Sequence, residues 1–262
     1  MPTADMIASQ SQSQTVTAPP APISVVIATP CYGSRMTSGY LTSLLSTHAT
    51  LAREGIECSV DFIGNESLIP RARNILVQRF LNAPRGTHLF FIDSDIVWSP
   101  QDFVKVLRSD KDVSCAAYSK KNIDFLKVAT GNQDEPAASR GLDFNINCIL
   151  KQENGLLQVS ESATGFMCIK RETLAGMASR LPDLWAMNDI QGTNISRYAC
   201  LFSTDTCEKS RRFLSEDYAF CKRATQCGYE IYVDPSVPLV HVGTSCERSS
   251  ISQRFTSRYD AS

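Results

Sequence analysis

Hydrophobic and polar positions along the chain fall into short apolar runs that alternate with amphipathic stretches. The first run, ISVVIATP from Ile23, is β-branched, ends at Pro30, and predicts a central strand buried on both faces. A turn follows through CYGSRMTSG. The next stretch, YLTSLLSTHATLAREG, sets Leu41, Leu44, Leu45, His48 and Leu51 at helical spacing and stops at Gly55. CSVDFIG predicts a second strand. In NESLIPRARNILVQRFLNA, Leu68, Ala72, Ile75, Leu76 and Phe80 form one helical stripe, Arg71 and Asn74 share another face, and Pro70 suits the first turn. THLFFIDSD is a third strand, SPQDFVKVLRS a helix opened by Ser99 as cap and Pro100 at its first position, and KDVSCAAYS a fourth strand.

Strands alternating with helices predict an α/β fold, a Rossmann-like and mostly parallel central sheet with flanking helices, whose ligand site lies beyond the carboxyl ends of the strands. Beyond Lys120 the pattern loosens. NGLLQVSESATGFMCIKRETL predicts a strand, a glycine turn and a strand entering a helix. A long loop from about Gly192 to Arg212 precedes a helix and a last strand in FLSEDYAFCKRATQCGYEIYVDP. A loop of that length predicts acceptor recognition or a lid, with simple disorder as the plain alternative. Residues 1–22, rich in Ser, Gln, Thr, Ala and Pro, read as a disordered leader. Residues 23–243 form a single domain and 244–262 a polar tail.

Charge narrows the partners. With 26 Lys and Arg against 27 Asp and Glu, bulk charge offers nothing to a nucleic acid, and any charge-based recognition is local. Ten cysteines lie scattered without a CxxC pair, as inert thiols of a reducing compartment do. The N-terminus lacks the basic and apolar regions of a secretory signal, and no run has the length of a membrane span. The expectation is a cytoplasmic protein, in which the sequon at Asn194 is unused.

Candidate chemistry begins at the end of the third strand. In an extended chain Asp93 and Asp95 point to one face and Ser94 to the other, so two hard oxygen donors converge on one ligand. Magnesium or manganese takes such donors and completes its shell with substrate phosphates. Three later features have less specific alternatives. Gly165 in ATGF suits a turn as well as close approach of a ligand, and Glu216 and Asp217 in SEDYAF suit a helix start. His241 in LVHVG suits the core as well as a metal. His48 and His88 are assigned to packing.

In conjunction, from Ile23 to Gly243, the strand-terminal D-x-D, the glycine loop, the acidic pair opening a late helix and the C-terminal histidine resemble GT-A fold glycosyltransferases. The resemblance implies Mn2+ or Mg2+ held by Asp93, Asp95 and His241. It implies a nucleoside-diphosphate sugar contacted by Thr29, Pro30, Tyr32, Asn65, Arg71, Asn74, Asp93, Ser94 and Gly165, with Cys31, Glu66 and Arg73 nearby. It makes Asp217 the general base of an inverting transfer to a glycan or glycoprotein hydroxyl, and Glu216 the residue that orients it. The NES and RARN stretches are similar to small viral and bacterial glycosyltransferases, including those of large algal viruses, and distantly to fungal Golgi mannosyltransferases. Alternatives are a retaining transfer, a nucleotidylyltransferase, and a non-catalytic nucleotide-sugar or glycan-binding module.

Overall fold

The structure, a computed structural model, describes residues 22–132, 134–243 and 246–249; the expected leader, up to residue 21, lies outside them. The chain runs β1 (Ser24–Cys31), α1 (Ser38–Arg53), β2 (Glu57–Gly64), α2 (Ile69–Asn82), β3 (His88–Ile92), β4 (Ile96–Val97), α3 (Pro100–Leu107) and β5 (Val113–Cys115). It continues through β6 (Ser119–Ile123), α4 (Phe125–Thr130), α5 (Ala137–Arg140), β7 (Leu142–Phe144), β8 (Ile146–Glu153), β9 (Leu156–Ser162), β10 (Phe166–Lys170) and α6 (Arg171–Arg180). It closes with β11 (Trp185–Met187), β12 (Arg197–Ala199), β13 (Asp205–Thr206), β14 (Phe213–Leu214), α7 (Glu216–Gln226), β15 (Ile231–Val233), β16 (Leu239–Val242) and β17 (Cys246–Ser249).

The eight-stranded sheet has the order β2-β1-β3-β10-β5-β15-β9-β8. β10 and β9 run against the other six strands, so the α/β expectation holds. Alternation along β3 feeds two cores. Leu89 and Phe91 meet α2, α6 and α7 on one face, whereas Phe90 and Ile92 meet α1 and α3 on the other. The rings of Phe90 and Phe103 stack at 4.2 Å on that second face.

Local differences from the sequence reading have physical causes. β1 continues one residue past Pro30, whose missing N–H is tolerated near the strand's end. In α1 the buried residues are Tyr40, Ser43, Leu44, Thr47 and Leu51, which keep Leu44 and Leu51 of the expected stripe and replace the rest. Leu41, Leu45 and His48 are therefore exposed, and His48 has no packing role. The sequence reading missed β8, although Asn154 and Gly155 both have positive φ and turn it tightly into β9. The loop expected at 192–212 is anchored: it contains β12 and β13, and Phe202 is buried against Phe220 with ring centroids 4.3 Å apart. Residues 246–249, placed in the polar tail, pair as β17 with β16. Among the described residues nine cysteines carry free thiols, and no helix is long and apolar enough to cross a membrane.

Candidate active site

The site forms where β3 ends. Phe166 of β10 lies opposite Ile92, which sets Gly165 beside Asp93, and the Asp93 amide donates to the Gly165 carbonyl at 3.1 Å. Asp93 to Asp95 then turn instead of staying extended, with the Ile96 amide bonded to the Asp93 carbonyl at 3.0 Å. The turn is tied to α1, because the Thr37 amide donates to the Ser94 carbonyl at 3.0 Å. Within this turn the two carboxylates meet different partners, Asp93 on α2 and Asp95 on β6 and β16.

Asp95 faces the C-terminal strand. β16 pairs with β4 so that His241 lies opposite Ile96, and the Val242 amide donates to the Asp95 carbonyl at 2.8 Å. His241 Nδ1 is 2.8 Å from the Ser119 carbonyl, which can only accept, so Nδ1 carries a proton and Nε2 is the ring nitrogen turned toward Asp95. That Nε2 is 3.7 Å from Asp95 Oδ2. Lys121 Nζ reaches the same oxygen at 2.5 Å. Burial alone would raise the Asp95 pKa, but hydrogen bonding and charge from His241 with Nε2 protonated and from the Lys121 ammonium outweigh it and hold the carboxyl below its usual range.

Asp93 faces α2. Arg73, with a side chain only 4% exposed, donates from Nη2 to Asp93 Oδ1 at 2.8 Å, and its Nε lies 3.6 Å from Glu216 Oε1. Burial opposes the guanidinium charge, yet Asp93 and Glu216 prevail and keep it protonated. Arg73 Nη1 and Nε are buried with no hydrogen-bond partner in the protein. The guanidinium thus links the D-x-D turn to the first turn of α7.

Around this link, the Gly165 amide donates to the Tyr118 hydroxyl at 3.2 Å. A Cβ on Gly165 would clash with that hydroxyl and come within 2.7 Å of Asp93 Oδ2, so this position excludes any side chain. Burial, reinforced by Asp93, pushes the Tyr118 phenol well above its usual range and keeps it protonated. The Tyr118 and His241 rings meet at 4.9 Å. Asp217 Oδ1 accepts from the Ser215 hydroxyl and from the Tyr218 amide at 3.0 Å.

Burial raises the Glu216 pKa, Asp217 and Asp93 add to it, and Arg73 offsets only part. A carboxyl whose folded pKa is raised penalises folding once the pH exceeds its unfolded value. Glu216→Gln is therefore expected to be more stable than the parent at pH 7. In urea unfolding at several pH values, that advantage is absent below the usual glutamate range, near 4.5, and grows as pH rises through it.

Other expected donor contacts lie elsewhere. Thr29 is fully buried, its hydroxyl 2.5 Å from that of Tyr40, and Pro30 is buried with it. Asn74 Oδ1 accepts from the Phe202 amide at 2.8 Å inside the core. Arg71 pairs with Glu66 at 2.9 Å and lies 3.7 Å from Asp189, apart from the D-x-D turn. Tyr32, 64% exposed, and exposed Asn65 remain open at the ends of β1 and β2, where the Ser34 hydroxyl donates to Asn65 Oδ1 at 3.5 Å. The sequence reading missed Tyr118 and Lys121 and gave Arg73 too little weight. The available signal was position: Tyr118 and Lys121 follow β5 at a carboxyl end of the sheet.

The chain matches no protein-family profile and no curated protein sequence. Among solved structures it is similar to A197 from STIV, at 17% identity and a TM-score of 0.48 over 88% of this chain and 92% of that one. A mutant Drosophila β-1,4-galactosyltransferase 7 in complex with manganese, UDP-Gal and xylobiose matches at 11% identity and a TM-score of 0.41, over 92% and 75%. The inositol-1-phosphate CTP transferase from T. maritima matches at 10% and 0.41, over 91% and 96%. Likeness this distant leaves the chemistry resting on the residues of this chain.

Proposed function

We infer that the protein is a metal-dependent glycosyltransferase of the GT-A type, moving a sugar from a nucleoside-diphosphate sugar to a hydroxyl of a glycan or glycoprotein. The observation that carries this reading is the meeting of three elements remote in sequence at one sheet edge. They are the D-x-D turn, His241 on β16, and the acidic first turn of α7, the last joined to the turn through Arg73.

Among the described residues no three of His, Cys, Asp and Glu converge as a metal site. The protein's own donors are thus Asp95 and His241, whose Nε2 lies near the Asp95 carboxylate. That pair fits Mn2+ or Mg2+, which accept phosphate and water oxygens for the rest of their shell. When bound there, the cation neutralises charge on the departing diphosphate. Asp93, held by Arg73, orients donor hydroxyls, and Gly165 keeps the backbone low beside it. Both hydrogen bonds to Asp217 fall on Oδ1, which leaves Oδ2 to take the acceptor's proton in an inverting transfer. Glu216 orients the acceptor from the same helical turn.

Incubation with a panel of nucleoside-diphosphate sugars and Mn2+ is expected to release free nucleoside diphosphate from one of them, slowly with water and faster with an acceptor. Release of pyrophosphate from a nucleoside triphosphate instead would move the assignment to nucleotidyl transfer.

A further inference from the structure

The two carboxylates of the D-x-D turn carry counter-cations of opposite character. Asp93 is held by Arg73, a planar guanidinium on a side chain of α2 that is 4% exposed and lies over the Phe91 ring of β3. Asp95 is held by Lys121, a point charge on a flexible stem, 41% exposed. Lys121 sits on β6, the strand that opens with Ser119, so one short segment both aims His241 through the Ser119 carbonyl and occupies the carboxylate facing that histidine. The stem lies over Gly243, where a Cβ would come within 2.9 Å of Lys121 Cδ, so the backbone beyond β16 gives it room.

We propose that Lys121 is a resident counter-cation of Asp95: in the unliganded protein it competes with a divalent metal for the carboxylate, and once metal and donor arrive its ammonium serves the diphosphate instead. This rests on the metal-site reading above. The lysine and a metal cannot share Asp95 Oδ2 at close range, since like charges repel strongly in a partly dry site. Metal therefore has to displace the lysine, and its apparent affinity is reduced by the fraction of molecules in which the lysine holds the carboxylate. A nucleoside diphosphate lowers that barrier by offering the ammonium a second anion. Metal binding and donor binding are coupled through this one side chain, whereas Arg73 stays in place throughout.

The test is Mn2+ binding to the full chain, followed by the electron paramagnetic resonance of free Mn2+, for the parent, Lys121→Met and Lys121→Arg, with and without UDP or GDP. Without nucleotide, Lys121→Met is expected to bind Mn2+ about tenfold more tightly than the parent, because its competitor is gone. Lys121→Arg, which keeps the charge, is expected to show no such gain. With Mn2+ saturating, Lys121→Met is expected to bind the preferred nucleotide about tenfold more weakly. If Lys121→Met binds Mn2+ no more tightly than the parent, the counter-cation role is overturned while the metal site stands. If no protein binds Mn2+ even with nucleotide, the metal reading falls and the role of Lys121 falls with it.

Discussion

Asp217→Asn is expected to lower the rate of sugar transfer by about 10²- to 10⁴-fold, the range that a positioned general base contributes, while donor binding stays near that of the parent. The amide keeps an oxygen for the Ser215 hydroxyl and the Tyr218 amide, so the first turn of α7 has no reason to move. What disappears is the capacity of the second oxygen to take a proton. Steady-state transfer rates, with nucleotide binding followed separately, check both halves of the expectation. Transfer at the parental rate would remove Asp217 as the base and turn attention to Glu216, whose raised pKa makes it the other proton acceptor in reach.

The second large effect is on stability. Arg73→Met leaves Asp93 and Glu216 facing each other in a partly dry site without the cation between them. Removing one partner of a buried ionic arrangement costs about 3–5 kcal/mol. For a domain of this size that lowers the melting temperature by roughly 10 °C. Arg71→Met is the comparison two residues away: its partner Glu66 is buried, but the arginine is a third exposed and water reaches the pair from that side, so the loss is expected to be smaller than for Arg73. Thermal unfolding of the two variants side by side checks the contrast. Equal losses would mean that Arg73 does not organise the site.

That contrast also marks where the sequence stopped being informative. The RARN stretch lies on a helix opened by Pro70, as its pattern predicts, but a polar helical residue ordinarily marks the solvent face. Only the tertiary structure reveals that Arg73 and Asn74 are buried and Arg71 is not. The buried Arg73 pairs with a carboxylate 20 residues away in the turn after β3 and with another far beyond on α7, a pairing that no local periodicity encodes.

The D-x-D stretch reads from sequence as the end of an extended strand, whereas the chain turns there. Alternation along Leu89 to Ile92 correctly gives a core strand, and Asp95, Gly165, Glu216, Asp217 and His241 all reach the same end of the sheet. The chain turns after Ile92, however, and the two aspartates bond different cations, Asp93 to Arg73 and Asp95 to Lys121. Thr29 and Tyr40 show the opposite case, since polar groups that satisfy each other are buried as readily as apolar ones. In α1 Tyr40 and Thr47, bonded to Thr29 and to the Trp98 ring N–H, are buried where the pattern alone offers Leu41, Leu45 and His48.

The central claim, that this sheet edge binds a nucleoside diphosphate through a metal held at Asp95, is tested most directly by thermal unfolding with UDP, GDP and the other nucleoside diphosphates. The comparison needs Mn2+ or EDTA, on the parent and on Asp95→Ala. One nucleotide is expected to raise the melting temperature with Mn2+, by the equivalent of about 2.7 kcal/mol at a hundredfold excess over Kd, with the rise lost in EDTA and in Asp95→Ala. A nucleotide shift that survives both EDTA and Asp95→Ala, or no shift with any nucleotide, would contradict the account.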